Sequence, residues 1–119
     1  MRVIYMAHPV SGDLPGNLAK AKRWVRAIEE TCPDVAVVAS WITECEVWDD
    51  ANPEERAARL RRDCAVVSRC DEFWLCGVVK DEPTRGMAIE LAEAGQCGLE
   101  IIWLGESMTA FVHRTVTAL

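Results

Sequence analysis

The segment "VIYMAHPVSGDLPGN" (residues 3–17) decides the fold, because it combines a buried strand, a loop and the start of a helix. Its first five residues, 3–7, are apolar and β-prone, which is typical of a strand that is buried on both faces. Residues 8–17 are rich in Pro, Gly, Ser and Asp, which predicts a loop. The apolar spacing that follows predicts a helix over residues 17–30.

The same order of strand and helix returns along the rest of the chain. Apolar runs predict three more strands, at residues 35–39, within 72–79 and at 100–105. Helices are predicted at residues 53–68, 84–94 and 106–119, whereas residues 40–51 have no clean period and are interpreted as a long connection. Apolar strands that alternate with helices are typical of a parallel sheet covered on both faces. We therefore expect one α/β domain over residues 1–119, a small doubly wound (Rossmann- or flavodoxin-like) parallel sheet of about four to five strands with helices on both faces.

Charge and cysteine content exclude several classes of function. The chain has 13 Lys and Arg against 19 Asp and Glu, so its formal net charge of -6 argues against binding to nucleic-acid polymers or anionic membranes. The first apolar run, "MRVIYMA", is too short for a signal peptide or a membrane span. The six cysteines form no Cys-x-x-Cys pair and are interpreted as reduced thiols in a cytoplasmic protein, with disulfides as the alternative that their even number leaves open. With no clustered His, Cys and Asp ligands, no metal is expected.

One carboxylate stands out in the segment "TRGMAIELAEA" (residues 84–94). On a helix, Met87, Leu91 and Ala94 form an apolar stripe, and Glu90 lies on that same stripe. An inward carboxylate is costly unless it is paired or used. Because this helix follows the third strand, Glu90 would face the strand ends, where doubly wound folds bind ligands. The alternative is that Glu90 lies at the edge of the stripe and reaches water.

Two further polar residues lie near predicted buried surfaces. The helix at residues 53–68 has a predicted buried face made of Ala57, Leu60, Cys64 and Val67. Asp63 lies at the boundary of that face, and its simplest interpretation is a surface partner of Arg59 or Arg62. Tyr5, the single tyrosine of the chain, lies on the first strand. A buried tyrosine hydroxyl needs a hydrogen-bond partner, and a carboxylate at a neighbouring strand end would serve.

The loops at the strand ends carry the remaining candidates. Ser11, Gly12 and the amides of the next helix could hold an anion, although the segment lacks a dinucleotide or Walker pattern and an ordinary turn is the rival interpretation. His8 is either a proton shuttle or an incidental loop residue. Trp41 and Trp48 could stack on a base, cover the core or mediate association between subunits.

The order of these motifs is more informative than any one of them. "IYMAHPVSGD" followed by an asparagine and a helix, then "NPEERAARLRRDCAVVSRCDEFWLCG", then "TRGMAIELAEA", resembles the nucleoside 2-deoxyribosyltransferase-like superfamily over about residues 2–104, and most of all its short bacterial and phage branch. The resemblance implies cleavage or exchange of the N-glycosidic bond of deoxynucleosides or nucleoside monophosphates. It also implies that Glu90 is the nucleophile, that Tyr5 orients it, and that Asp63 contacts the sugar or assists proton transfer.

The resemblance also bears on the substrate. Thr84, six positions before Glu90, is a hydroxyl residue, as in the monophosphate hydrolases, and with Gly86 at a helix N-terminus it resembles a phosphate site. The predicted function is therefore an N-glycosidase of a (deoxy)nucleoside 5′-monophosphate, or a closely related deoxyribosyltransferase. The first loop lacks the arginine usual in the hydrolases, so either Arg85 substitutes for it or the substrate is not a monophosphate. The residues expected to bind substrate are His8, Ser11, Gly12, Thr84, Gly86 and Met87.

Two other functions stay open at this stage. The same fold could keep the pocket and bind a nucleotide-derived small molecule without cleaving it. The chain could instead be an interaction module that associates through Trp41 and Trp48. The resemblance implies a homodimer or larger homo-oligomer and a small-molecule nucleoside or nucleotide as partner. It implies no organic cofactor, because the nucleophile is a side chain.

Overall fold

The computed structural model describes residues 1–49 and 51–118, with side chains through residue 115. Its strands are β1 (Arg2–Ala7), β2 (Val35–Val38), β3 (Glu72–Cys76) and β4 (Glu100–Gly105). They form one parallel sheet in the order β2-β1-β3-β4. The α/β fold class predicted from the sequence is thereby confirmed.

Helices lie against both faces of this sheet. They are α1 (Leu14–Thr31), α2 (Trp41–Val47), α3 (Pro53–Val67), α4 (Arg85–Gln96) and α5 (Met108–Ala118). The chain passes outward from β1 to β2, then crosses back over β1 to β3 and on to β4, so right-handed crossovers place α1 opposite α3 and α4. Accordingly α1 packs against α5, and α3 packs against α4. Within the described ranges, no helix is long and apolar enough to cross a membrane.

The two faces of the sheet have different cores. Towards α1 and α5, the rings of Trp24 and Trp74 both pack against Phe111, with centroid distances of 5.7 and 6.5 Å. Towards α3 and α4, Tyr5 of β1 lies opposite Phe73 of β3, and their rings stack at 5.6 Å. Tyr5 is therefore held rigidly at the centre of the sheet, with its hydroxyl directed to the α4 side.

The first loop is shorter than predicted. Helix α1 begins at Leu14 rather than near residue 17, because Asp13 caps it by accepting a hydrogen bond from the Gly16 amide at 3.1 Å. Pro15 sits in the first turn, where a missing N–H costs nothing. The Pro and Gly that indicated a loop therefore belong to a helix start.

The prediction of an irregular connection over residues 40–51 is wrong for its first half. Residues Trp41–Val47 form α2, whose buried residues Trp41 and Cys45 lie one turn apart. Seven residues are too few to show a period in the sequence. The indole N–H of Trp41 donates to the backbone carbonyl of Met6 at 2.7 Å, which fixes α2 against the end of β1.

The buried face of α3 also differs from the prediction. The sequence pattern indicated Ala57, Leu60, Cys64 and Val67, whereas the fully buried residues are Arg59, Asp63 and Val67. Ala57 is exposed. The cause is that two of the three buried positions are charged, so a search for apolar periodicity shifts the face by about one residue.

Candidate active site

A cleft opens at the carboxyl ends of β1 and β3, where the chain reverses its direction of winding. This is the position at which doubly wound sheets bind ligands. The cleft is walled by the first loop, by α2, by α3 and by the start of α4, and it contains about 470 Å³ of empty space, part of it open to solvent.

Glu90 forms the floor of the cleft. It is 7% exposed, so the prediction that it points inward is confirmed, and the alternative of a carboxylate in water is excluded. The hydroxyl of Tyr5 donates a hydrogen bond to its Oε2 atom. Burial raises the pKa of Glu90 to about 7, against the opposing effects of the Tyr5 hydrogen bond and the charge of Arg59. Glu90 is therefore an ionisable carboxyl poised near neutrality.

Tyr5 is a fixed donor. Burial first, and then the charges of Glu90 and Asp63, raise the pKa of its hydroxyl well above the ordinary value. The hydroxyl therefore stays protonated and keeps its hydrogen bond to Glu90 over the whole physiological range. The stacked ring of Phe73 prevents Tyr5 from turning away.

Asp63 enters the same cleft from α3. It is 2% exposed, so the interpretation of a surface partner for Arg59 or Arg62 is wrong. Burial first, and then the neighbouring carboxyls of Glu44 and Glu90, raise the pKa of Asp63 to about 9. Asp63 is therefore a neutral carboxylic acid at neutral pH, beside a carboxyl that can ionise.

Three polar residues that line the cleft were missed in the sequence. Arg56 and Arg59 line it from α3, and Cys45 lines it from α2. A guanidinium nitrogen of Arg59 donates to the Cys45 sulfur at 2.9 Å, and the charge of Arg59 lowers the pKa of the neighbouring acids. Arg56, Arg59 and Asp63 are spaced at i, i+3 and i+7. This spacing could have predicted that the three side chains share one face of the helix.

His8 lies at one side of the cleft, where its contacts with neighbouring backbone fix the position of a neutral ring. Its ring packs over Gly77, which has φ of +74° and at which a Cβ atom would lie 2.5 Å from His8 Nε2. His8 Nδ1 is 2.8 Å from the carbonyl of Pro9, and because a carbonyl only accepts, Nδ1 carries the proton. Burial lowers the pKa of His8.

The start of α4 offers hydrogen-bond donors beside Glu90. Thr84 is the N-cap, and its hydroxyl oxygen accepts from the amide of Met87 at 3.4 Å, which leaves its hydrogen available to donate. A Cβ atom at Gly86 would meet nothing within 4 Å, so this backbone faces open space. Arg56 reaches the same cleft from α3 and supplies a positive charge that the first loop lacks.

Of the loop residues predicted to contact a ligand, some line the cleft and others lie outside it. Ser11 lines the cleft, whereas Gly12, with φ of +97°, is exposed at the turn and does not line it. Trp41 is buried and lines the cleft. Trp48 is 40% exposed outside the cleft, with the guanidinium of Arg62 at 5.7 Å from its ring centroid. Of the two tryptophans, only Trp41 is therefore placed to contact a ligand in this cleft.

The fold and this cleft define an α/β protein with a polar pocket at the switch point of a parallel sheet. The chain belongs to the family described as "Domain of unknown function (DUF7768)", whose model matches residues 2–104. Its structure is similar to that of a 2-deoxyribosyltransferase from the psychrotolerant bacterium Bacillus psychrosaccharolyticus, with a TM-score of 0.57 and 17% identity, over 85% of this chain and 70% of that one. At this identity the similarity shows a shared fold. A search of curated proteins found no significant match.

Proposed function

We propose that this protein is an N-glycosidase that cleaves the N-glycosidic bond of a (deoxy)nucleoside 5′-monophosphate, with Glu90 as nucleophile. The observation that carries the proposal is the pairing in one cleft of an oriented, ionisable Glu90 with a neutral Asp63. Glycosyl transfer needs such a pair, because one carboxylate attacks the sugar while one acid protonates the leaving group. The shared fold with a 2-deoxyribosyltransferase supports a nucleoside substrate.

The first chemical step forms a covalent intermediate. The Glu90 carboxylate attacks the anomeric carbon and forms a C–O ester bond while the glycosidic C–N bond breaks. The electron pair of that bond goes to the base nitrogen, which takes the proton of Asp63. Tyr5 donates to the Glu90 carboxylate and directs its other oxygen to the sugar.

The second step releases the sugar. Water attacks the same carbon, the ester bond breaks and the Glu90 carboxylate is regenerated, while the proton of the water returns to Asp63. If a second base takes the place of water, the same residues catalyse base exchange, which is the related transferase activity. Because Glu90 must be ionised and Asp63 protonated, we expect activity to peak on the alkaline side of the Glu90 pKa of about 7.

Binding of the phosphate is assigned to the start of α4 and to Arg56. The Thr84 hydroxyl and the open Gly86 backbone provide donors at a helix N-terminus, which favours anions. Arg56 lines this cleft and also the adjoining groove, where Arg85 lies. Two guanidinium groups therefore flank the expected phosphate position.

Chromatographic detection of free base tests the function directly. A panel of nucleosides and their 5′-monophosphates is incubated with wild type, Glu90→Gln and the matched control Glu93→Gln, which lies one turn further along α4. We expect base release from monophosphates by wild type and the control, and a loss of about a thousandfold or more in Glu90→Gln. Folded wild type that binds nucleotides but releases no base would support a non-catalytic binding protein instead.

A second variant pair tests the phosphate assignment. Arg56→Gln should raise KM for the monophosphate by roughly tenfold or more while leaving the corresponding nucleoside little changed, because the charge-assisted contact is lost. Arg61→Gln is the control, since Arg61 lies on the exposed side of α3 away from the cleft. Equal effects of Arg56→Gln on both substrates would contradict the assignment.

A further inference from the structure

We propose that a groove beside the cleft is a subsite for a second phosphate, so that the preferred substrate carries a 5′-diphosphate. This outer groove lies between the first turns of α3 and α4, where Pro53 and Ala57 face Arg85 and Ile89. The inference rests on the proposed function, because that function places the first phosphate at the start of α4. The bond that is cleaved and the residues that cleave it are unchanged.

The outer groove adjoins the cleft directly. Arg56 and Gly86 line both of them. A Cβ atom at Gly86 would meet nothing within 4 Å, so no packed neighbour fills the space at this position. The groove contains about 630 Å³ of empty space, part of it open to solvent, which leaves room for a second phosphate. A phosphate at Gly86 therefore lies at a junction rather than at a closed end.

The geometry of α4 places the sugar and the groove in sequence. Gly86 precedes Glu90 by four residues, which at about 1.5 Å per residue separates them by roughly 6 Å along the helix axis. This is comparable with the separation of the anomeric carbon and the 5′-phosphate in a pentose 5-phosphate. A sugar attacked by Glu90 therefore brings its first phosphate to Gly86. Arg85 and Ile89, each one position before these two residues, line the space beyond it.

The charge of the outer groove suits a second anion. Arg56 and Arg85 line it, and none of its described lining residues is acidic, although the chain has a formal net charge of -6. Within the part of the chain that the structure describes, neither guanidinium group is in an ion pair or a side-chain hydrogen bond. Both can therefore bind a ligand without breaking an internal contact. A monophosphate at the junction engages Arg56 first, whereas a diphosphate also reaches Arg85.

Another surface lined by arginines provides the comparison. Arg61 and Arg62 lie together on α3, but the surface that they line shares no residue with the cleft. Arg62 also donates to the carbonyl of Ala58 at 3.4 Å and lies over the ring of Trp48. A substrate held in the cleft does not reach this surface, so Arg61 is a matched control for Arg85.

Calorimetric titration of Glu90→Gln, which should bind substrate without consuming it, measures the proposed preference. The probes are the 5′-monophosphates and 5′-diphosphates of the common nucleosides and deoxynucleosides, at low ionic strength. We expect the diphosphate of the best-bound nucleoside to bind roughly tenfold more tightly than its monophosphate. Adding Arg85→Gln should weaken the diphosphate by about that factor and the monophosphate much less, whereas adding Arg61→Gln should keep the preference. Equal affinities, or a preference that Arg85→Gln leaves unchanged, would overturn the proposal.

A second variant adds a charge instead of removing one. Ala57 is exposed and lines the outer groove but not the cleft, so Ala57→Glu would place a carboxylate beside the second phosphate. In otherwise wild-type protein, kcat/KM should fall by roughly tenfold more for the diphosphate than for the monophosphate. An equal fall for both substrates would contradict a second phosphate in this groove.

The same measurements separate this proposal from the proposed function. A dinucleotide whose two nucleosides are joined by a 5′,5′-diphosphate shows whether the second phosphate is free or esterified, and a preference for either form supports the subsite. If the diphosphate binds more tightly through Arg85 but wild type releases no base, the proposed function fails while the subsite stands. If base is released from monophosphates and no diphosphate is preferred, the subsite fails while the proposed function stands.

Discussion

Two buried acidic sites at opposite ends of the sheet differ in how completely their carboxyl groups are paired. Glu72, at the start of β3, is 5% exposed, but it accepts hydrogen bonds from the Arg2 guanidinium and the Trp74 indole, both at 2.9 Å. Asp63 and Glu90, at the other end, are equally buried. Among the described residues, no N–H or hydroxyl donates to Asp63 Oδ1, and both acids have raised pKa values. Incomplete pairing, rather than burial, therefore distinguishes the end of the sheet where we propose catalysis.

Of the variants that distinguish the two ends of the sheet, Asp63→Asn is expected to have the largest effect on activity. The amide keeps the shape of the side chain but cannot protonate a leaving base, so kcat should fall by roughly a hundredfold or more. At neutral pH the free energy of unfolding should rise, because Asp63 must take up a proton when the protein folds, whereas asparagine need not. Activity assays and urea unfolding of the same sample check both statements.

The control for this prediction is Asp34→Asn, whose carboxylate is exposed in an ion pair with Arg2. It should leave both quantities nearly unchanged. If Asp63→Asn instead unfolds the protein while the folded fraction keeps full activity, Asp63 serves stability, as Glu72 does, and the proposed difference between the two ends of the sheet is wrong.

The pH dependence of stability is the next largest effect. The pKa of Glu90 is raised from 4.5 to about 7 in the folded protein. A raised pKa means that the folded state binds the proton more tightly, so the stabilisation is complete below the unfolded value and is lost as pH rises through about 7. Wild type should therefore lose on the order of 3 kcal/mol relative to Glu90→Gln between about pH 5 and pH 8.

Urea unfolding of wild type and Glu90→Gln across this range measures that difference. Glutamine has no charge to bury, so its stability should vary less with pH, and the variant should be the more stable protein above neutrality. Parallel curves would mean that Glu90 ionises in the folded protein as easily as in water, in contradiction to its burial.

Glu72→Ala should show the opposite pattern to Asp63→Asn. The substitution leaves the buried Trp74 N–H without its acceptor, which costs about 2 kcal/mol of unfolding free energy. The contribution of Arg2 is smaller, because its side chain is 46% exposed and solvent screens the ion pair. The folded fraction should keep its kcat, since Glu72 lies at the far end of the sheet.

The matched control for Glu72→Ala is Glu100→Ala. Glu100 pairs with Glu72 in register on β4, but it is exposed. We expect a change within about 0.5 kcal/mol. A loss of activity in folded Glu72→Ala protein would show that the two ends are coupled and would weaken the distinction drawn between them.

Tyr5→Phe gives the smallest effect. The Tyr5 hydrogen bond lowers the pKa of Glu90, so its removal should raise that pKa and move the acid limb of kcat/KM to higher pH. At neutral pH the rate should fall by roughly tenfold, and it should recover in part at alkaline pH, where Glu90 ionises again. A loss of equal size at every pH would indicate that Tyr5 only fills space.

Much of this architecture follows from local sequence patterns. Apolar runs predict the four strands, and the stripe of Met87, Leu91 and Ala94 predicts the inward direction of Glu90, because three of its neighbours on that face are apolar. The predicted start of α1 is three residues late, because Pro15 is compatible with the first turn of a helix as well as with a loop.

The part of the site that could not be predicted comes from α2 and α3. Helix α2 has seven residues, fewer than a periodic signal needs, so the position of Cys45 in the cleft could not be predicted. On α3 the inward face carries Arg59 and Asp63, which a hydrophobic pattern assigns to the surface. Charged residues are buried only where side chains from several elements pair with them, so their burial depends on tertiary contacts that a local pattern does not contain. A functional site is therefore where local patterns are expected to fail.

The proposed mechanism requires a covalent bond between Glu90 and the sugar. Mass spectrometry can detect this bond in protein quenched during turnover of the preferred monophosphate, in a 2-fluoro form that slows hydrolysis of the ester. We expect a mass increase equal to the sugar phosphate, located on the peptide that contains Glu90 and absent from Glu90→Gln. Steady base release with no adduct, or an adduct on another residue, would contradict it.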